Sequence, residues 1–268
     1  MPRPPYTHAE IVDAYRACGV ERGRTVVVHS DLSHLGGFAE PGKQAVLEAH
    51  YSALLDLLGP DGTMAVHTGD QTLCNSDRIF DPDTSPGYHM GIFSEHVRCK
   101  PERHRSFQPF INYSAVGKDA RALTGNVSRH VWGPETPKAR LIDADAVCIS
   151  VGQHPRLTCS TIHHVEMMMG VPYRYTKEFT QNVMRDGDIK KEPFYSFVCY
   201  MACEIDRNKN RKIFGAFQEN HDVREAALGR GMVYGYSVKD FYTSATRSLA
   251  ANIYEWLNTP PETRPSQK

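Results

Sequence analysis

The spacing of hydrophobic residues predicts alternating strands and helices in the first part of the chain. Residues 24–30 and 63–68 are short runs rich in β-branched and apolar side chains, which is typical of buried strands. Between them, apolar residues recur at helical spacing over 42–58, and the turn-forming GPDG of 59–62 predicts where this helix ends. The chain up to residue 70 is therefore predicted to form a strand–helix–strand unit.

The remaining pattern predicts further elements around a long polar loop. Residues 70–90 are rich in Asp, Asn, Ser and Pro and lack periodicity, so we expect a loop that is functional or mobile. The other predicted elements are a short helix at 90–99, strands at 110–117 and 145–152, a helix at 158–170, a strand pair or one long strand at 194–205, and an amphipathic helix at 237–257 capped by Ser237. We find no internal repeat or hinge linker, so one α/β domain is expected over 1–257, followed by a disordered tail at 258–268.

Composition and charge narrow the classes of partner. Among 268 residues, Lys plus Arg and Asp plus Glu are equal at 31 each, so net charge provides no general attraction to nucleic acid or an anionic membrane. No apolar run approaches the ~20 residues of a membrane span, and the first residues lack the apolar segment of a secretory signal. The seven cysteines include no CxxC pair, so we expect free thiols in a cytoplasmic protein.

The segment TCSTIHHVEMMMG at 158–170 contains the main candidate for catalysis. In a helix, Ile162, Val165 and Met169 share the stripe that faces the core, whereas His163 and Glu166 meet on a neighbouring stripe. Loops at the carboxyl ends of strands form the ligand crevice of α/β folds, and this helix follows such a loop. A carboxylate that accepts one imidazole N–H leaves the other ring nitrogen free as a base, which suits deprotonation of an attacking amine, alcohol or thiol.

Other interpretations of this segment remain open from spacing alone. Taken alone, a His–Glu pair at this spacing is more often a structural hydrogen bond, and a metal site would need a third ligand at matching spacing, which is not evident. Cys159 lies one helical turn before His163, so a thiol nucleophile is geometrically allowed, although a buried free cysteine is the ordinary case.

Two polar segments are candidate binding loops. HSDLSHLGG at 29–37 follows a strand and offers small residues and free N–H groups, which suits an anion cradle as well as a plain turn. His29 is compatible with a packed residue at the end of the strand. FDPDTSPGY at 80–88 is either a substrate loop with acidic groups or a connector interrupted by Pro.

The order of several motifs resembles the aminoglycoside 3-N-acetyltransferase family, also called the antibiotic N-acetyltransferases. Single motifs are weak, but five in the same order are specific, and the resemblance spans roughly residues 7–257. The matching segments are HSDLSHLGG (29–37), GPDGTM (59–64), FDPDTSPGYHMGIFSE (80–95), RSFQPFINYSAVG (105–117) and VCISVGQHPRLTCSTIHHVE (147–166).

The resemblance implies a fold, a co-substrate and a set of site residues. The expected fold is α/β with a mixed sheet flanked by helices, distinct from the GNAT fold, and the expected reaction moves an acetyl group from acetyl-CoA to the amine of a small molecule. His163 corresponds to the family's general base and Glu166 to its orienting carboxylate, with direct transfer and no metal. The implied CoA-binding residues are His29, Ser30, Leu32, Ser33, Leu35, Gly36 and Ser114, and the candidate substrate contacts are Thr68, Asp81, Glu95 and Cys159. A homodimer is a further expectation.

Departures from the family pattern bear on the acceptor. Gln108 and Ile111 stand where the family has two histidines, and Asp31 places a negative charge in the loop expected to hold CoA phosphates. The acceptor loop lacks a strong acidic run, so an amino sugar or another biosynthetic amine is a better candidate than a polycationic aminoglycoside. The alternatives are a CoA-binding pseudoenzyme, a different acyl donor, or an acyl intermediate on Cys159.

Overall fold

The computed structural model describes residues 4–203, 209–263 and 265. The described helices are α1 (His8–Ala17), α2 (Lys43–Leu58), α3 (Ile92–Arg98), α4 (Ala120–Thr124), α5 (Pro137–Asp143), α6 (Thr161–Met169), α7 (Lys209–Asn220) and α8 (Val238–Ala251). The described strands are β1 (Thr25–Ser30), β2 (Thr63–His67), β3 (Ile79–Phe80), β4 (His104–Arg105), β5 (Tyr113–Gly117), β6 (Val147–Val151), β7 (Arg174–Arg185), β8 (Asp188–Cys199), β9 (Arg224–Leu228) and β10 (Gly231–Ser237).

A mixed seven-stranded sheet forms the centre of the fold, with strand order β4-β5-β2-β1-β6-β10-β9. β1 pairs in parallel with β2 and β6, and the outer pairs are antiparallel. The predicted strand–helix–strand unit is confirmed, because α2 connects β1 to its parallel neighbour β2. The parallel strands direct the carboxyl ends of β1, β2 and β6 to the same edge of the sheet, where α/β folds bind ligands.

The two faces of this sheet are covered by separate hydrophobic clusters. Side chains alternate along β1, so Val27 belongs to one cluster while Val26 and Val28 belong to the other. The second cluster includes residues of α1, α2 and α3, and the first includes residues of α4, α5, α6, α7 and α8. A mixed sheet flanked by helices, as expected from the family resemblance, is therefore confirmed.

A long hairpin makes a second, three-stranded sheet of order β3-β7-β8. β7 and β8 pair from Arg174↔Cys199 to Arg185↔Asp188, and the two residues of the connecting turn, Asp186 and Gly187, both have positive φ. Phe179 of β7 and Phe194 of β8 join the hydrophobic cluster beneath α6. The hairpin thereby forms a wall next to that helix.

The strands of this hairpin differ from those predicted from the sequence. A strand was predicted at 194–205, but β8 ends at Cys199, and 204–205 lie outside the described residues. β7 was not predicted, because its central side chains are mostly polar and exposed and give no apolar run. The elements α1, α4, α5, α7, β4, β9 and β10 were not predicted either.

The remaining predictions agree with the structure except at element ends. Ser237 caps α8 by accepting a hydrogen bond from the Asp240 N–H, as predicted, but the helix ends at Ala251 rather than 257. Residues 70–90 are mainly turns, with short 3₁₀ segments and β3 within them. The predicted tail lies partly outside the described residues, at 264 and 266–268. Within the described ranges, no helix has the length and apolar character needed to cross a membrane.

Candidate active site

The loop after β6 packs against the loop after β1. Gly152 ends β6 with a φ of +72°, and a Cβ there would overlap the carbonyl oxygen of Asp31. The Asp31 N–H donates to the Val151 carbonyl at 2.8 Å, and the His34 ring donates through Nδ1 to the Gly152 carbonyl at 2.8 Å. These contacts hold the start of α6 at the carboxyl edge of the parallel strands.

His163 and Glu166 meet on α6 in the manner predicted from their spacing. His163 Nδ1 lies 3.1 Å from Glu166 Oε2, and the His163 side chain is 41% exposed whereas that of Glu166 is 2% exposed. With Nδ1–H donating to the carboxylate, Nε2 is the nitrogen left as an acceptor. The predicted core stripe is also present, since Ile162 and Val165 are buried.

The Glu166 carboxylate is held by two further residues that follow α6. Arg174 Nη2 lies 2.9 Å from Glu166 Oε2, and the Tyr173 hydroxyl donates to Glu166 Oε1 at 3.1 Å. Burial raises the pKa of Glu166, but the bonds from His163 and Arg174 outweigh it, so the net pKa is lowered. Glu166 is therefore an ionised carboxylate with a fixed orientation.

A cavity of about 420 Å³ opens beside His163. Its walls come from the loop after β2, the segment around Trp132, and the β7–β8 hairpin, and seven of the thirteen lining residues are apolar or aromatic. The Trp132 ring lies 5.6 Å from the His163 ring, centroid to centroid. This volume is in the range of small-molecule sites.

Neither Trp132 nor the Tyr173–Arg174 pair was identified from the sequence. Trp132 is distant in the chain from the 158–170 segment, and Tyr173 and Arg174 lie beyond the end of its helix. No periodicity in the sequence connects these residues to His163 and Glu166. Gln108 and Ile111, which replace the family histidines, have different positions here. Gln108 is buried and accepts hydrogen bonds from the Phe110 and Ile111 N–H groups, whereas Ile111 lines the cavity.

The residues implied for CoA binding lie together at the end of β1, apart from Ser114. Leu32 and Leu35 are buried, and Ser33 is exposed with its N–H and hydroxyl donating to the Asp31 carboxylate. Gly36, with a φ of +88°, packs against the exposed Arg230 side chain. Ser114 is fully buried on β5 and bonded to Thr68, so it is not brought to this loop's surface.

His29 and Ser30 end β1 and are half-buried. Burial, together with the nearby Lys138 charge, lowers the pKa of His29 to about 3, so its ring is neutral. Lys138, only 2% exposed, approaches Thr161 at the start of α6, with Nζ 3.5 Å from the hydroxyl oxygen. This buried cation had no signal in the sequence pattern.

The structure does not bring the four candidate substrate contacts to the cavity. Thr68 is buried and donates to Asn112 Oδ1 at 2.7 Å. Asp81 closes a turn by accepting hydrogen bonds from Asp83 and Thr84, and Glu95 is paired with Arg98. Each side chain is already satisfied by local partners.

Cys159, the fourth candidate, is also buried. Its thiol accepts a hydrogen bond from the Tyr236 hydroxyl at 3.4 Å, and burial raises its pKa to about 12. A thiol with such a pKa is protonated at neutral pH and is a poor nucleophile.

The site lies at the carboxyl edge of an α/β sheet, where a buried carboxylate orients a half-exposed imidazole beside a cavity. This arrangement defines an enzyme site suited to proton removal from a nucleophile. The family model described as aminoglycoside 3-N-acetyltransferase matches residues 27–250. The chain belongs to this family, whose members transfer an acetyl group from acetyl-CoA to an amine, and it is an acyl-CoA-dependent N-acetyltransferase. Among the residues described, no group of three or more His, Cys, Asp and Glu is placed to hold a metal ion.

Curated relatives cover most of the chain. Aminoglycoside N(3)-acetyltransferase III of Pseudomonas aeruginosa is 28% identical over 200 residues, which is 68% of this chain and 72% of the relative. Aminoglycoside N(3)-acetyltransferase VII of Streptomyces paromomycinus is 28% identical over 253 residues, covering 84% and 83% of the two chains.

Solved structures share the fold. AAC-IIIb in a binary complex with CoASH superimposes with a TM-score of 0.82 at 18% identity, covering 96% of this chain and 100% of the other. AAC-VIa bound to sisomicin gives a TM-score of 0.81 at 20% identity, covering 92% and 98%.

Proposed function

We propose that this protein transfers an acetyl group from acetyl-CoA directly to a primary amine of a small molecule, with His163 as general base and Glu166 as its orienting carboxylate. The observation that carries the proposal is the 3.1 Å contact between His163 Nδ1 and the buried Glu166 carboxylate, beside a cavity that His163 itself lines. A primary amine is mostly protonated at neutral pH and must lose a proton to attack. His163 Nε2 accepts that proton, and the Glu166 charge stabilises the resulting imidazolium.

The proposed path requires a donor at the developing oxyanion. The Ser160 N–H is occupied by the Thr158 carbonyl, whereas the Thr161 N–H belongs to the first turn of α6, where a helix has no internal acceptor for it. The Ser160 hydroxyl is buried and has no hydrogen-bond partner among the described residues, although it lies one turn before His163. We propose that the start of α6, which includes the Thr161 N–H and this hydroxyl, supplies the donor.

The loop at 29–37 suits only part of the acetyl-CoA molecule. Acetyl-CoA supplies the thioester carbonyl that is attacked. The Asp31 carboxylate occupies the Ser33 donors and opposes a phosphate at that point, whereas Arg230 beside Gly36 offers a guanidinium at the edge of the same loop. We therefore propose that the loop contacts the uncharged pantetheine and that Arg230 pairs with the phosphates.

The buried Cys159 supports direct transfer over an acyl intermediate on the enzyme. With a pKa of about 12 and a hydrogen bond from Tyr236, this thiol is not activated, and its side chain is not part of the cavity wall. The amine nitrogen then attacks the thioester carbon, the C–S bond breaks, and CoA leaves as a thiolate that takes up the proton held by His163; no covalent bond to the protein forms.

The test is thiol release from acetyl-CoA by the purified protein with a panel of amines, with His163→Ala as the control. Release that requires both an amine and His163 is the expected result. CoA binding without thiol release for any amine would contradict the proposal and favour a pseudoenzyme. Release only with another acyl-CoA would overturn the choice of acetyl donor.

A further inference from the structure

The charge and chemistry of the cavity beside His163 point to a particular class of acceptor. We propose that the cavity takes a monoamine carried on an aromatic or apolar body and excludes polycationic amines. This inference rests on the proposed function, because it assumes that the cavity holds the acceptor. None of the loop residues 29–37 lines the cavity, which leaves it to the acceptor rather than to the CoA donor.

The described lining of the cavity carries no anionic side chain. Among the described residues, its lining contains no Asp or Glu, and its ionisable groups other than thiols are His163 and Arg174. Lys177 adds a cation near the rim, with Nζ 5.1 Å from the centre of the Phe179 ring. A second ammonium group on the acceptor would be repelled here.

The described carboxylates near the cavity already have hydrogen-bond or ion-pair partners. Glu166 is 2% exposed and engaged by Arg174, Tyr173 and His163. Asp70, next to the lining residue Gln71, is 4% exposed and accepts hydrogen bonds from Thr72 and Arg78. Glu178 on β7 is exposed and bonded to the neutral Tyr195 hydroxyl, but it lies on the opposite face of the strand from the lining residue Phe179. Among the described residues next to the cavity, the buried carboxylates Glu166 and Asp70 are therefore already paired.

A monoamine avoids this problem because its only charge is removed in the reaction. Its proton passes to His163, whose imidazolium lies against the ionised Glu166 carboxylate, so the cavity holds no ammonium group when the nitrogen attacks. A polycation keeps its other ammonium groups inside the cavity and next to Arg174 throughout the reaction.

The walls match an apolar ligand body. Trp132 is 5% exposed, and the Phe110 and Phe179 rings meet edge to face at 5.5 Å. Ile111 extends this surface at a position where the family pattern has a histidine. Gln71 and Ser196 are the uncharged polar side chains of the lining, apart from thiols, so a hydroxyl-rich sugar ring would lose hydrogen bonds to water without replacement.

The experiment compares acceptors by kcat/KM in the thiol-release assay at saturating acetyl-CoA. The monoamines are 2-phenylethylamine and tryptamine, and the polycations are sisomicin and spermidine. We expect kcat/KM for the monoamines to exceed that for the polycations by at least about 100-fold.

A charge variant tests the physical cause of the preference. Gln71→Glu adds one carboxylate to the lining with little change of shape. It should reduce the ratio of kcat/KM for monoamines to kcat/KM for polycations by about tenfold, chiefly by raising kcat/KM for the polycations. Gln44→Glu makes the same change on α2, outside this cavity, and should leave the ratio unchanged. An equal shift with both variants would contradict a local effect.

The outcomes separate this inference from the proposed function. Turnover of sisomicin or spermidine at or above the rate of the monoamines would overturn the inference and leave the acetyltransferase mechanism intact. If no amine releases thiol, the mechanism fails, and calorimetric titration of the same amines decides the inference. Binding of 2-phenylethylamine but not spermidine would support it, and the reverse order would overturn it.

Discussion

At the residue scale, Glu166 is the group that links stability to catalysis. Its carboxylate holds His163, Arg174 and Tyr173 at once and is almost completely buried. Because Arg174 carries a permanent charge, it keeps Glu166 ionised whether or not His163 is protonated. The imidazole therefore keeps the same orientation before and after it accepts a proton.

The first prediction compares His163 with the nearby thiol. His163→Ala should lower kcat by about 10²–10⁴-fold, because the amine loses its general base. Cys159→Ala should leave kcat close to that of the parent protein, since the thiol is protonated and buried. Intact-mass analysis of the parent protein after mixing with acetyl-CoA provides a separate check, and an acetyl adduct on Cys159 would contradict direct transfer.

The second prediction concerns the buried ion pair. Glu166→Gln removes the charge that compensates Arg174, so it should lower the free energy of unfolding by about 3–5 kcal/mol and also abolish most activity. The double variant Glu166→Gln/Arg174→Gln removes both charges and should regain stability in urea denaturation without regaining activity. Recovery of activity in the double variant would show that Glu166 has only a structural role.

At the element scale, the turn after β6 controls how the two ligand-binding loops meet. Gly152 combines a positive φ with a close approach to the Asp31 carbonyl. Gly170, which also has a positive φ, ends α6 in the left-handed conformation. A Cβ added to Gly170 would meet no other atom within 4 Å. Substitution of both glycines therefore distinguishes the effect of backbone strain, common to both, from that of steric overlap, which occurs at Gly152 alone.

The third prediction uses these two glycines. Gly170→Ala should cost about 1–2 kcal/mol of unfolding free energy from strain alone and leave CoA affinity unchanged. Gly152→Ala adds a clash with Asp31, so it should cost more and also weaken CoA binding by displacing the 29–37 loop. Chemical denaturation and calorimetric CoA titration of both variants provide the measurements. Equal effects on CoA affinity would contradict a role for this turn in positioning the loop.

At the scale of the whole molecule, buried neutral histidines make stability depend on pH. His50 on α2 is fully buried between the Tyr6 and Tyr15 hydroxyls, with Nδ1 2.6 Å from the Tyr15 oxygen. Burial, and secondarily the charge of His8, lowers its pKa from 6.5 to about 3. The folded protein therefore binds fewer protons than the unfolded chain between these two pH values.

The fourth prediction follows from this difference in proton binding. The contribution of His50 to the free energy of unfolding is fully present above pH 6.5 and is lost as pH falls towards about 3. Its slope is about 1.4 kcal/mol per pH unit, because one more proton binds to the unfolded chain. Urea denaturation at several pH values should show a slope smaller by this amount in His50→Gln. An unchanged slope would show that folding does not lower the pKa of His50.

The sequence by itself determined the features whose cause is local. Apolar spacing located β1, α2, β2, β6 and α6, because burial of one face imposes a short repeat on each element. The separation of His163 and Glu166 by one helical turn brought them together irrespective of the rest of the fold. The Ser237 cap depends on a bond to its own helix and was equally predictable.

Only the tertiary structure decided which distant residues complete the site. Arg174 lies at the start of a strand whose polar, exposed pattern gave no signal, and Trp132 approaches His163 from another segment. The 70–90 loop and the β7–β8 hairpin form cavity walls through contacts between remote parts of the chain. Such contacts depend on where the backbone reverses and which elements pack together, and no short repeat in the sequence encodes that. The acceptor cavity therefore exists only in the folded chain. The same holds for the positive charge of its lining, which selects among amines.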